Sequence, residues 1–310
     1  MGEENGRNRL SRPLGGSSMV KCDWVLVETE TQREEAKRRI AASPIIGVDT
    51  EYDSFRYFRE LLCLVQVGTD SMVYLFDPFG DIDLSFLGDI FADRKILKVL
   101  HACDNDVRLL NRDYAFEFEN LFDTHRAAFL LGSALLSLHS VIKEYLGYEL
   151  NKEKKIQRSR WDLRPLEQEQ LHYAARDAFC LLPLQNKLDE ALNIQGLTCA
   201  ASEAFEGMAS VRWRKKTLNR KGYTKIQGFE ELNERGQERL KRLYYWRFEK
   251  ASTINRARFM ILSDNDLMEL VRADIDTVDS LKRSGILSSR KIEEFGEEVI
   301  DALQREHHDQ

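Results

Sequence analysis

The sequence is short of several things, and each shortage narrows its chemistry. Cysteine is sparse and scattered: five residues, at positions 22, 63, 103, 180 and 199, form no C-x-x-C pair and stand beside no histidine cluster. That excludes a structural zinc site and a disulfide framework, and fits reduced thiols packed as small apolar side chains in a cytoplasmic protein. Long apolar runs are missing too. None approaches a membrane span, and the N-terminus lacks the charged-then-apolar order of a secretory signal, so no membrane partner is expected. Positive charge is not in excess: 46 Lys and Arg face 52 Asp and Glu, a formal net charge of −6. A uniformly basic nucleic-acid binder is thereby excluded, although local basic patches are not. What is present is 43% apolar residues over 310 positions, enough for two compact domains.

Along the chain, residues 1–19 are rich in Gly, Ser, Asn and Arg and read as a disordered tail. Trp24 to Val27 predicts a strand, and Thr31 to Ile40 a helix whose Thr31 and Glu34 have capping-box spacing. Pro44 to Glu51 is an apolar, β-branched stretch that ends in carboxylates, and reads as a buried strand. Leu62 to Val67 and Met72 to Phe76 flank a Gly-Thr-Asp-Ser turn and predict a hairpin. Next come a helix over Ile82 to Phe91, a strand over Ile96 to His101, and a helix over Asp104 to Asn111 capped by Asp104. Asp123 should cap a helix running from His125 to Leu131, and Ser137 to Leu146 and Leu166 to Asn193 complete the first domain, 20–195. A basic linker over 196–231 and an all-helical domain over 232–310 follow, with helix starts at Ser263 and Ser288. Alternating strands and helices after a meander imply a mixed sheet covered by helices.

Three places carry chemistry. Alternation on a strand points Asp49 and Glu51 the same way and Thr50 the other. Two adjacent carboxylates repel unless a cation compensates, and hard oxygen ligands suit Mg²⁺ or Mn²⁺ better than zinc. The second place is the junction of strand and helix at His101 to Asp106, where Asp106 lies in the first helical turn. The third is sharper: Tyr173 and Asp177 are four residues apart on a helix, so four steps of about 100° leave them within about 40° of each other. His172 competes for this role, but lies about 140° from Asp177 on a continuous helix. We therefore take Tyr173. Trp161, Trp246 and Phe259 read as core residues.

These motifs, in this order, resemble the DEDDy 3′–5′ exonucleases, and their surroundings resemble bacterial ribonuclease D: Leu62 to Gln66, Phe122 to Thr124, Trp161 with Arg164 to Leu166, and Leu171 to Asp177. Leu240, Leu243, Trp246, Arg247 and Ala251, with Ile261 to Asp264 and Leu267, resemble an HRDC domain, of which the remaining length holds one. The resemblance implies an RNase H-like α/β fold followed by a small all-α domain. It implies a 3′–5′ exoribonuclease that releases nucleoside 5′-monophosphates from RNA with a free 3′ end, such as tRNA precursors. Two divalent cations, Mg²⁺ or Mn²⁺, would be held by Asp49, Glu51, Asp106 and Asp177, with Tyr173 orienting the attacking water. Candidate RNA contacts are Lys154, Lys155, Arg158 and Arg160 before the catalytic helix, and Arg212, Arg214, Lys215 and Lys216 in the linker beside Trp213. Gln66 and His101 are candidate contacts to the 3′ nucleotide, or else satisfied polar residues beside the sheet. The alternatives are a Werner-type DNA exonuclease, which shares the catalytic set, and a non-catalytic nucleic-acid-binding adaptor on the same fold, against which the retained four acids and tyrosine argue.

Overall fold

A computed structural model describes residues 8–9, 22–149, 154–273 and 275–304. The chain divides into two compact units: Met1–Asp53 with Leu62–Arg214, and Ser54–Leu61 with Lys215–Gln310. Among the described residues, no helix is long and apolar enough to cross a membrane.

Among the described residues, the first unit is built on seven strands: β1 (Asn8–Arg9), β2 (Asp23–Leu26), β3 (Ile45–Asp53), β4 (Leu61–Gly68), β5 (Val73–Phe76), β6 (Leu97–Leu100) and β7 (Leu121–Asp123). Their order in the sheet is β1-β2-β5-β4-β3-β6-β7. β2 runs parallel to β5, β4 and β5 pair as an antiparallel hairpin with Gly68 opposite Val73, and β3, β6 and β7 are parallel. β3 therefore lies inside the sheet, between β4 and β6. Its helices are α1 (Glu30–Ala41), α2 (Phe86–Ala92), α3 (Asp104–Tyr114), α4 (Thr124–Leu130), α5 (Leu138–Leu146), α6 (Lys154–Gln157), α7 (Gln168–Ile194) and α8 (Thr198–Ala209).

Alternation along β3 divides the core. Ile46 and Val48 join Ala36, Ile40, Phe91 and Val107 in one apolar layer, whereas Gly47 turns to α7. There a Cβ on Gly47 would lie 2.5 Å from the Ala178 carbonyl, and one on Gly68 3.2 Å from the same oxygen. The two glycines let α7 settle on the sheet closer than any side chain would permit. Leu181, Leu184 and Leu188 of α7 are buried against Val99, Phe122 and Val141, each contributing about 2 kcal/mol of transfer free energy. The segment leading into α7 is tied down by Arg164. Its guanidinium grips Asp77 with Nε–Oδ2 at 2.5 Å and Nη2–Oδ1 at 2.6 Å, and reaches the carbonyls of Cys63 and Trp161, each at 2.7 Å. Such a bidentate, carbonyl-bonded arginine fixes both position and orientation.

The second unit is helical: α9 (Glu234–Ile254), α10 (Arg258–Ile261), α11 (Asp264–Arg272), α12 (Val278–Ser284) and α13 (Ser289–Gln304), preceded by 3-10 turns at Gly222–Lys225 and Phe229–Glu231. Leu240, Leu243, Ile261, Leu267, Leu281, Phe295 and Val299 form its core. Phe58, from the Ser54–Leu61 segment, belongs to the same core and meets Phe248 edge-on at 5.1 Å. Two buried arginines answer the carbonyls that helix ends leave unpaired. Arg239 donates to Val271, Ala273 and Ile275, and Arg247 donates to the Leu262 carbonyl and the Asp264 carboxylate, both at 2.7 Å.

Several expectations shift. The α1 capping box uses Thr29 and Gln32 rather than Thr31 and Glu34, because Glu30 already lies in the helix. Asp104 is the first helical residue of α3 and Cys103 its cap, without a side-chain hydrogen bond. Phe122 and Asp123 lie in a short strand as well as preceding α4, where Asp123 accepts from His125 N and Arg126 N. Within the expected tail, Asn8 and Arg9 pair with β2; the rest of 1–19 lies outside the described residues. The stretch read as a linker contains α8, whose Ala201 is buried and whose Phe205 packs on Phe122 at 4.6 Å. Phe259 is not core: it is 46% exposed.

Candidate active site

β3, α3 and α7 each deliver one part of an acidic cluster. Asp49 and Glu51 stand on the β3 side that turns to α7, and Tyr173 and Asp177 lie one helical turn apart on α7. Tyr173 and Asp177 are close enough to influence each other's ionisation. Asp106, in the first turn of α3, accepts a short hydrogen bond from Thr50 Oγ1, the side chain that alternation sends away from Asp49 and Glu51. Asp106 and Asp177 are 6% and 4% exposed.

Electrostatics show how close the acids are. Burial raises the Asp49 carboxyl well above the usual range, and the charges of Asp106 and Asp177 push it further. Glu51 is raised by burial, then by Asp49, Asp177 and Asp106. Asp106 is raised to about 6 by burial, against the hydrogen bond from Thr50. Asp177 is also raised by burial, despite the opposing influence of Arg176, whose Nη2 lies 3.5 Å from Oδ1. Burial together with Asp177, Glu51 and Asp49 raises the Tyr173 phenol, so it stays protonated and acts as a hydrogen-bonding positioner.

Four buried carboxylates, two of them held back from ionising by the charge of the others, with Asp177 Oδ1 buried and lacking a hydrogen bond, form a donor set short of positive charge. Oxygen donors of this kind fit hard divalent cations. Among the described residues, no three acidic, histidine or cysteine side chains stand as a ready-made cage. Asp106 is turned to Thr50, and Arg176 lies beside Asp177.

The remaining sequence candidates separate. His172 does not join the acids: Trp24 Nε1 donates to its Nδ1 at 3.0 Å, and the two rings meet edge-on at 5.3 Å. His101 is occupied, with Nδ1 2.9 Å from Thr124 Oγ1 and Nε2 3.0 Å from the Leu136 carbonyl, and burial drops its pKa to about 4. Gln66 differs. It is fully buried on β4, and neither amide atom has a hydrogen-bond partner, so the expectation of a satisfied polar residue fails at this position. Lys154, Lys155 and Arg158 are exposed, Arg160 pairs with Asp162 at 2.7 Å, and 151–153 of the basic loop lie outside the described residues. Trp161 is buried as expected. In the basic stretch, Arg212 pairs with Glu117 at 3.3 Å, Lys216 donates to the Phe58 carbonyl at 2.6 Å, and Arg214 and Lys215 are exposed. Thr50, His139 and Arg176 were not among the candidates. Their places beside Asp49 and Asp177 offered a signal for Thr50 and Arg176, but His139 arrives from α5, with its ring 6.3 Å from that of Tyr173, and carries none.

Residues 24–193 match the 3′–5′ exonuclease family, more than half of the chain, and residues 236–303 match the HRDC domain. The Exosome complex component 10 homolog of Drosophila melanogaster is 35% identical over 183 residues, 58% of this chain but 20% of that protein. Ribonuclease D of Desulfotalea psychrophila is 28% identical over 288 residues, 92% of this chain and 76% of that one. The solved structure of Escherichia coli RNase D, described as an exoribonuclease involved in structured RNA processing, superposes with a TM-score of 0.68 at 27% identity, covering 91% of this chain and 74% of that one. The chain thus spans about a fifth of the exosome relative and about three quarters of the ribonuclease D relative. Exonucleases of this fold depend on divalent metal. A sheet that carries paired acids into the N-terminal turns of a tyrosine- and aspartate-bearing helix, matched over these residues, places the chain in the 3′–5′ exonuclease family, followed by an HRDC domain.

Proposed function

We propose that this chain is a metal-dependent 3′–5′ exoribonuclease that removes nucleoside 5′-monophosphates from free RNA 3′ ends, with tRNA precursors and other small structured RNAs as substrates in the cytoplasm. The observation that carries this is the convergence of Asp49, Glu51, Asp106 and Asp177, each raised in pKa by burial and the first two also by the charge of the others, with Tyr173 one turn from Asp177 on α7. The names of the ribonuclease D relatives support RNA over DNA.

Asp49, Glu51 and Asp177 would hold one Mg²⁺ or Mn²⁺, and Asp49 and Asp106 the second. When bound, such a pair lowers the pKa of an attacking water and neutralises charge at the scissile phosphate. The protein's own part is positional. Tyr173 keeps its proton, because the acids around it oppose a phenolate, and so offers a donor that fixes the water's approach. Trp161 and His139 pack near the Tyr173 ring, with ring centres at 6.3 Å. Arg164 secures the segment before α7, and with it the register of Tyr173 and Asp177.

The test is hydrolysis of matched RNA and DNA oligonucleotides, with free and blocked 3′ ends, in Mg²⁺ or Mn²⁺ and after exhaustive chelation. We expect mononucleotide release from free-ended RNA only, abolished by chelation. Preference for DNA, or activity that survives chelation, overturns the proposal.

A further inference from the structure

Gln66, on β4, is 0% exposed, and both its Nε2 and its Oε1 are buried without a hydrogen-bond partner. A carboxamide in that state forfeits the solvation of two donors and an acceptor, a cost that protein interiors rarely leave unrecovered. Its direction follows from alternation along the strand. Val65 and Val67 join the apolar layer of Ile46 and Val48, so Gln66 projects from the opposite face of the sheet, as Gly68 does toward α7. Asp49 and Glu51 leave β3 on that same face.

The two glycines set the register between β3 and β4. Cβ atoms on Gly47 and Gly68 would lie 2.5 and 3.2 Å from the same Ala178 oxygen, too close together for diagonal neighbours, which stand about 7–8 Å apart. Gly47 and Gly68 are therefore opposite one another. β3 and β4 are adjacent in the sheet and joined by residues 54–60, too few for the crossover of about a dozen residues that parallel neighbours need, so they run antiparallel. Two steps forward from Gly47 and two steps back from Gly68 reach Asp49 and Gln66, a facing pair with Cα atoms about 5 Å apart. On its other side Gln66 faces Leu75 of β5, which has no polar side-chain atom. Asp49 is thus the polar side chain that the sheet sets beside this amide.

We propose that Gln66 is a positioning residue for Asp49: when a divalent cation takes one oxygen of that carboxylate, the Gln66 amide donates to the other and fixes its rotation. The assignment rests on the metal-dependent reading and adds to it a residue that never touches the ion. A carboxylate held through one oxygen still turns about its Cβ–Cγ bond, and a hydrogen bond to the second oxygen is what orients such a ligand. The unspent donors of Gln66 supply that hold, and the solvation that folding took from them is recovered when the ion binds. At 0% exposure the amide is not open to a nucleotide, the other role that its sequence context suggested.

The experiment uses the full chain and its Gln66→Met variant, which keeps the length of the side chain and removes its polar atoms. Without metal, the thermal midpoint of the variant should stay level or rise, because an unpaired buried amide is gone. Mn²⁺ binding, followed by electron paramagnetic resonance of the free ion, should weaken by about 10- to 100-fold. Turnover of an RNA oligonucleotide should need correspondingly more Mn²⁺. Parental Mn²⁺ affinity in the variant overturns the proposal, and a loss confined to binding of a nucleoside 5′-monophosphate would assign Gln66 to the nucleotide instead. A metal-free midpoint that falls in step with the affinity would make the residue structural and overturns it too. The parental chain supplies a reading that needs no variant: Mg²⁺ should shift the ¹⁵N–¹H side-chain pair of Gln66, assigned through its backbone, and a pair left unmoved by bound Mg²⁺ overturns the proposal. A parental chain that neither binds Mn²⁺ nor degrades RNA would remove the metal-dependent reading itself.

Discussion

Both units bury charge, and they treat it in opposite ways. In the helical unit, Arg247 is 4% exposed, and its guanidinium meets a carbonyl and a carboxylate at 2.7 Å; Arg239 likewise reaches three carbonyls. In the sheet unit, Lys98 is fully buried, but its ammonium donates to the Asp93 and Ile96 carbonyls at 2.7 and 2.8 Å. These charges are answered from within, and their role is to close helix and loop ends. In the acidic cluster, Asp49 and Glu51 meet the repulsion of their fellow acids, and Asp177 meets one arginine at 3.5 Å. Burial alone therefore does not mark function. A buried charge whose compensation must come from outside the chain does, because folding leaves its solvation cost unrecovered.

The contrast is broken most severely at Asp49. Asp49→Asn should lower RNA turnover by on the order of 10³-fold or more, while the thermal midpoint without metal stays level or rises, because a repelling charge is gone. A loss of activity that only parallels unfolding would contradict this. Arg247→Ala should do the reverse. Losing the packed guanidinium and its bond to the Leu262 carbonyl should cost about 2 kcal/mol in urea unfolding of the helical unit, while dinucleotide cleavage per folded molecule is kept.

Next in size is the tyrosine. Tyr173→Phe should reduce kcat by about 10²-fold with KM little changed, whereas His172→Ala, which removes only the partner of Trp24, should leave kcat within about twofold. The reverse ranking would assign the site to histidine. The smallest effect sharpens the comparison through pH. The acids have folded pKa values above their unfolded ones, so without metal their contribution to stability is greatest below the ordinary carboxylate range and is lost as pH rises through the folded values, about 6 for Asp106. Adding Mn²⁺ should therefore raise the thermal midpoint more at pH 7.5 than at pH 5, by the equivalent of about 1 kcal/mol or more. A shift independent of pH would mean that the ion binds elsewhere.

Much of the site was legible because each acid lies in a local pattern: a β-branched strand ending in Asp49 and Glu51, a helix start at Asp106, a four-residue spacing at Tyr173 and Asp177. Period and capping also gave β3, the β4–β5 hairpin, α7 and the helical C-terminal region, because these elements bury their own repeating faces. The missed features depend on partners distant in sequence. Phe259 looks like core by composition, yet no helix covers it. Gln66 sits in an apolar strand, and its lack of partners cannot be read from its neighbours. The β7 strand is three residues long and exists because β6 supplies its ladder.

The Ser54–Leu61 segment has one further consequence, for dividing the molecule. It leaves β3 at Asp53, gives Phe58 to the helical core and returns as β4, so the chain passes between the two units at 53/54, at 61/62 and again at 214/215. A single scission near residue 214 would not liberate two finished pieces. The N-terminal fragment would keep a bare phenylalanine loop, and the C-terminal fragment would have a gap where that ring, 7% exposed in the whole chain, had been. Shuffling the helical module onto another nuclease would have to carry this loop along, which makes the pair a unit of inheritance rather than two beads on a string.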